Sequence, residues 1–404
     1  MAYFNVAENS FGADNWCLKL RPLYQAGLLT SLSSGEVFVI DWETNKPKQR
    51  IVAHLTSIND MQVLDRDYAN GFGFATANEE GTKIFDVRMK DAVASLKSEK
   101  SSPFLSVDSR HGLLACGTEL SGVDAELHLY DIRKTDGPVR SMIDSHHDDI
   151  TSICFHPSDP NVLMSGSTDG YVNIYDLAQP EEDDALHQVI NFASIHSCGW
   201  LAPKRIFTLS HMETFGIHEL NDKSDDPTEP QPRDFGDIRS DWNCDYVVDV
   251  YPGVIATGRS QAGRGELQLI PLNSEQLDTK NSVVIPAAHG DDIVRDIYFS
   301  EQNPNLMYSC GEDGYVRSWN VQQANQLQVV AQFWDYSKPL NLFQDTVIEA
   351  DMNDPTSEPV GTVTEPEEKS EKDKEKPSKD KKKSNKKQKS DKDKNRLKSR
   401  FKPY

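Results

Sequence analysis

The feature that most limits what this chain can fold into is a short cassette that keeps returning. A turn residue leads into an alternating apolar run that closes on Asp, Asn or another polar residue. It reads GEVFVIDW from Gly35, EGTKIFDV from Glu80, AELHLYDI from Ala125 and GYVNIYDL from Gly170. It returns as METFGIHEL from Met212, GELQLIPL from Gly265 and GYVRSWNV from Gly314, the Met212 copy lacking its leading glycine. Period-two alternation sends successive side chains to opposite faces, so each copy reads as a strand. Seven copies about 45 residues apart fit a four-stranded propeller blade and not a helical repeat.

The residues upstream of the cassette agree. DDITSICFHPSDPNVLMSGSTDG (148–170) reads as a strand, a Pro/Asp/Asn turn, a second strand and a tight turn. DDIVRDIYFSEQNPNLMYSCGEDG (291–314) repeats that order. Histidines stand before both, His146 and His147 in one and His289 in the other, and His54 precedes a looser copy, AHLTSINDMQVL. A lone four-stranded sheet cannot bury its apolar faces. Arranged radially, each sheet covers its neighbours and only short protected edges remain.

These residues resemble the WD40 repeat: the histidine before the first strand, the small residues and Asp before the third, and a closing Trp-Asp-like pair. The pair is present as Tyr130-Asp131, Tyr175-Asp176 and Trp319-Asn320. The resemblance spans about residues 13–335, and GTELSGVDAELHLYDIR is similar to the WD repeat-containing protein 89 group within the family. It implies an all-β, seven-bladed WD40-type β-propeller over residues 1–335. It also implies a buried hydrogen-bond network within a blade. In the fourth blade that network would use His147, Ser165 or Ser167, and Asp169, with Tyr175 in place of Trp; in the seventh, His289, Ser309, Asp313 and Trp319. Blades five and six depart from the pattern. Two segments have the composition to close the ring, YFNV near the N-terminus and LQVVAQFW at 327–334. The N-terminal clasp is the usual one in the family.

Charge divides the chain into two parts. The whole carries 43 Lys+Arg against 64 Asp+Glu, a net of −21, yet residues 361–404 hold 17 basic and 9 acidic residues. The body is therefore more acidic than the total. It should repel nucleic-acid phosphates and suit a basic protein partner. Residues 336–404 are rich in Lys, Glu, Ser and Pro with few apolar side chains, and are expected to be a disordered basic tail. The run Lys381, Lys382, Lys383, Lys386, Lys387 and Lys389 has the composition of a nuclear localisation signal read by an import receptor. The same run could contact RNA or simply keep the chain soluble. Phe401 and Tyr404 return aromatic character at the end, as a peptide hook would.

Other chemistry finds little support. The six cysteines, 17, 116, 154, 198, 244 and 310, make no C-x-x-C motif and fit a reduced compartment. No apolar run is long enough for a spanning helix, and MAYFNVAENSF does not read as a signal peptide. HSCGWLAPKRIFTLSH and SHHDD lack zinc-site spacing, and GRSQAGRGE lacks the Lys-Ser/Thr end of a phosphate-binding loop, so no cofactor is expected. Ser, His and Asp within one blade invite a hydrolase reading, but no G-x-S-x-G turn exposes a nucleophile. Two acidic inserts, PEEDDA (180–185) and NDKSDDPTEPQPRDFGD (221–237), follow the third strands of adjacent blades and should share one side of the disc. Glu181, Glu182, Asp183, Asp184, Asp225 and Asp226 would be their docking acids. The commoner role of such loops is solvation. The expected function is a non-enzymatic protein-binding scaffold, nuclear, that assembles or escorts a basic protein in ribosome biogenesis. The alternatives are a chromatin- or histone-associated adaptor and a hydrolase-like site in the central opening.

Overall fold

The computed structural model describes residues 3–221, 232–260, 263, 265–300, 303, 305–321 and 340–343. These residues form seven antiparallel sheets, six of four strands and one of five. Blade one runs Cys17–Leu23, Gly27–Leu32, Glu36–Ile40 and Pro47–Val52, and each following blade repeats the order. All seven cassettes are third strands, from Glu36–Ile40 to Tyr315–Val321. The five-stranded sheet is blade six, where a short strand, Gln276–Leu277, adds to Tyr246–Tyr251, Val254–Arg259, Glu266–Asn273 and Val283–Pro286.

The burial follows from this arrangement. Seven apolar clusters are found among the described residues, and each joins one blade to the next. Leu163 and Tyr175 of blade four pack with Ala115, Leu127 and Leu129 of blade three. On its other face, Met164, Val172 and Ile174 meet Ile195, Trp200 and Ile206 of blade five. Consecutive residues of one strand thus serve two different cores, as alternation requires. The last cluster joins Leu20, Leu28 and Ile40 of blade one to Tyr298, Tyr308 and Val316 of blade seven.

The ring closes through the N-terminal segment. Tyr3–Ser10 pairs antiparallel with Tyr315–Val321, from Tyr3 opposite Val321 to Ser10 opposite Tyr315. The other candidate, 327–334, lies outside the described residues. Gly314 shows why its turn needs glycine: φ is +74°, and an added Cβ would stand 2.2 Å from the carbonyl oxygen of Gly12. Phe11 N donates to Gly314 O at 2.8 Å, so the turn and the clasp are one structure.

One boundary differs from expectation. The fourth strand of blade five, Arg233–Asp237, lies inside the acidic insert predicted at 221–237, because Phe235 packs against the core formed with blade six. Within the stretch 336–404 expected as a tail, the described residues 340–343 lie against blade four. Leu342 and Phe343 supply the apolar surface that the rest of the tail lacks. The remainder of that tail is outside the described residues.

Deleting Tyr3–Ser10 should cost at least ~3 kcal/mol in urea unfolding, from the loss of several ladder bonds worth about 1 kcal/mol each. Deleting 379–404 should leave the urea midpoint unchanged.

Candidate functional site

Blades four and seven each join a histidine, a serine and an aspartate in one polar network. In blade seven, His289 Nδ1 pairs with Asp313 Oδ1 at 2.7 Å and Nε2 with Ser309 Oγ at 2.7 Å. Trp319 Nε1 donates to the same Ser309 oxygen at 2.8 Å. Arg317 reaches back to Asp313 from the middle of the third strand. Burial pushes the His289 imidazole down, against the opposing pull of Asp313. Burial pushes the Asp313 carboxyl up, but the hydrogen bond from His289 and the Arg317 charge outweigh it and hold it low.

In blade four the histidine of the network is His146, not His147. His146 Nδ1 pairs with Asp169 Oδ2 at 2.9 Å and Nε2 with Ser165 Oγ at 2.7 Å. His147 is exposed; its backbone N–H donates to Asp169 at 3.0 Å and its ring turns away to Asp124 at 2.7 Å. Adjacent residues of an extended chain point to opposite sides, so only one of the two can face the blade. HGDDI at 289 aligned with HHDDI at 146 carries the signal, since His289 then falls on His146. Likewise SCGEDG matches SGSTDG, which selects Ser165 over Ser167. Tyr175 stands in the tryptophan position and lies 3.4 Å from Ser165 Oγ.

Blade two has a version that the pattern understates. His54 Nε2 meets Thr76 Oγ1 at 2.9 Å, and Lys83 Nζ donates to Glu80 Oε2 at 3.0 Å, with Glu80 where Asp313 stands in blade seven. Burial, aided by the Lys83 charge, pushes the His54 imidazole down to about 4. Blade five places His218 in the tryptophan position, 3.0 Å from Thr208 Oγ1.

These triads have the connectivity of a hydrolase but not its access. Ser165 and Ser309 are both 0% exposed. A nucleophile must reach a substrate carbonyl, and these oxygens are enclosed within blades. The networks therefore fasten second and third strands to the preceding link.

The central channel has a volume of about 2080 Å³, and the inner strands bring Asp60, Asp108, Asp249 and Asp296 to its wall. Three of these carboxylates are spent on the adjacent blade. Asp60 accepts from Val107 N at 3.0 Å, Asp108 from Phe155 N at 2.7 Å and Asp296 from Leu20 N at 2.8 Å. Ser152 plays the same part in blade four, accepting from Cys198 N at 3.2 Å. Arg21 adds an ion pair to Asp296 at 2.9 Å across the ring closure. Asp249 is the exception. Burial, and then the charge of Asp296, raise its carboxyl to about 7 despite the nearby Arg21.

Strand alternation divides the links between two faces. Links from second to third strands and from one blade to the next share one face, here the linker face. Exposed Leu55 (85%), Val123 (77%) and Met212 (62%) belong to it, with Trp16, Leu120 and Tyr171 also exposed. The exposed acids Asp14, Glu79, Glu119, Asp241 and Asp292 lie in the same links. Bases are fewer in the described links; of them, Lys100 is tied to Glu126 at 2.9 Å and Arg239 to Asp237 at 2.6 Å.

Of the predicted docking acids, Glu181, Glu182, Asp183 and Asp184 belong to a link of the opposite face. Glu181, Asp183 and Asp184 are exposed around the one-turn helix Glu182–Ala185. Glu182 is occupied within the chain, where it accepts from Ile143 N at 2.8 Å and Asp144 N at 3.1 Å. Asp225, Asp226, the lysines Lys381–Lys389, Phe401 and Tyr404 lie outside the described residues.

Known proteins share this pattern. The family model for the WD domain, G-beta repeat, matches residues 137–176 and 281–320. A WD repeat-containing protein of Saccharomyces cerevisiae is 57% identical over 408 residues, covering 100% of each chain. One of Schizosaccharomyces pombe is 31% identical over 281 residues, 65% of this chain and 83% of its own. The WD repeat-containing protein 89 homolog of Dictyostelium discoideum is 29% identical over 211 residues, 51% of this chain and 56% of its own.

Two substitutions probe the interior. Ser309→Ala leaves both His289 and Trp319 without their partner and should cost roughly 1–3 kcal/mol per orphaned group in urea unfolding. Asp249→Asn should raise the melting temperature at pH 8. The folded carboxyl binds its proton more tightly than the unfolded one, so its ionisation destabilises the fold as pH rises toward and through about 7. The gain should shrink toward pH 4, where the wild-type carboxyl is protonated in the fold.

Proposed function

The chain belongs to the WD-repeat family, and from that premise we propose that it is a non-enzymatic protein-binding scaffold whose linker face grips a basic partner. One observation carries the reading: isolated, strongly exposed apolar side chains stand among acids on that face. Leu55, Val123 and Met212 offer anchors that gain by leaving water, while Asp14, Glu79, Glu119 and Asp292 attract and orient a positive partner. The overall charge of −21 favours encounter with such a partner. The enclosed serines support binding over hydrolysis.

The partner class is a basic protein, of which ribosomal proteins and histones are the most abundant nuclear kinds. The Lys381–Lys389 run supports a nuclear address. The function so proposed is assembly or escort of that protein, with ribosome biogenesis as its setting.

Leu55→Asp combined with Val123→Asp should lower recovery of the partner from lysate at moderate salt by roughly tenfold, with an unchanged fold by circular dichroism. Met89→Asp, on the opposite face, should leave recovery intact. Unchanged recovery with the double variant, or recovery of acidic partners alone, would contradict the reading. A chain lacking 379–404 should lose nuclear accumulation on imaging; unchanged accumulation would remove the address.

A further inference from the structure

The four residues Leu340-Asn341-Leu342-Phe343 sit in a slot on the face opposite the linker links, beside blade four. Leu340 N donates to Ser158 O at 3.0 Å, and Leu342 N donates to Asp159 Oδ2 at 2.6 Å. Leu342 and Phe343 pack against the cluster that joins blades four and five. The Phe343 ring lies over His187, with centroids 4.1 Å apart. Leu342 and Phe343 lie in a turn, and the segment's two amides are bound to one fixed loop with its side chains set on an apolar surface, as recognition of a short linear peptide requires.

The slot is built into the propeller. Asp159 is 1% exposed, and its other oxygen accepts from Asn161 N at 3.0 Å. The loop that carries it is fixed by His156, whose Nδ1 accepts from Ser158 N at 3.1 Å and Asp159 N at 2.9 Å. His156 Nε2 therefore carries the proton and donates to Pro203 O at 3.0 Å, across to blade five. Burial holds this imidazole down at about 4, so it stays neutral in that tautomer. The position of this carboxylate is thus set by the propeller's own loop, through His156 and Asn161, and not by the segment it binds.

The resident segment is partly open to solvent. Two of its backbone amides donate to the propeller, Asn341 is exposed, and Leu340, Leu342 and Phe343 are partly buried. Ordering its backbone costs conformational entropy that offsets part of what such contacts return. Its advantage is that docking is intramolecular, which keeps a weak segment seated.

We propose that this slot is a second recognition site, for a Leu-x-Leu-aromatic peptide on a partner protein, and that residues 340–343 are its resident competitor. The site is distinct from the linker face and does not depend on the reading given for it. A partner segment with the same spacing donates its amide to Asp159, places its aromatic ring on His187 and releases the resident segment.

The test uses the full chain and a fluorescent peptide of residues 336–347 as the probe, read by anisotropy. Leu342→Ala with Phe343→Ala vacates the slot and should raise probe affinity roughly tenfold over the intact chain, by removing the tethered competitor. The single Leu342→Ala chain, a milder change, should shift the same way by a smaller factor. Adding His187→Ala to the vacated chain should abolish the gain, while Met89→Asp should not alter it. Equal binding by intact and vacated chains, or retention of the gain after His187→Ala, would overturn the proposal. Concentration-dependent dimers of the vacated chain in light scattering would overturn it too, because the slot would then serve a second copy.

Discussion

Every blade here depends on its neighbours for the burial of both its faces. The third strand of blade four illustrates this: Tyr175 is committed to the core shared with blade three, while Val172 and Ile174 are committed to the core shared with blade five. Among the described residues, each apolar cluster is shared between two blades, so no blade there has a core of its own. The stability of the disc is therefore a property of the closed ring, and the pairing of Tyr3–Ser10 with Tyr315–Val321 holds together the two ends of the chain's blade order.

Polar groups extend the same logic. Three carboxylates on the inner strands bind the ring together: Asp60, Asp108 and Asp296 each accept a backbone N–H from the following blade. Within blades, His146 and His289 bind buried hydroxyls on one side and acids on the other. A satisfied buried network is stiff, and losing one member exposes the others to the full cost of desolvation. Groups of the kind found in catalytic triads thereby serve to fasten strands within a blade.

Much of the fold was legible because a repeat tests itself. Each cassette from Gly35 to Gly314 supports the others, and all proved to be third strands. The network in blade seven could be read because HGDDI offers one histidine. HHDDI offers two, and choosing between them needed alignment against the sister blade. The acidic insert of blade five concealed a strand, since Arg233–Asp237 has little of the β-branched character that marks one. The proposed gripping surface was hardest to read. Leu55 and Val123 do not stand out in a sequence, and only the shared face on which their links emerge groups them. The seat of Leu342 was equally hidden, because its partner Asp159 is 183 positions away.

Shared cores between all neighbouring blades imply a ring that opens only as a whole. Native-state hydrogen exchange measures this directly, by comparing amides at the junction of blades seven and one with those between blades three and four. Leu20 and Val316 should exchange with the same opening free energy as Ile153 and Leu163. Much weaker protection at Leu20 and Val316 alone would mean that the ring parts at its clasp while the other blades stay folded, and would contradict the account.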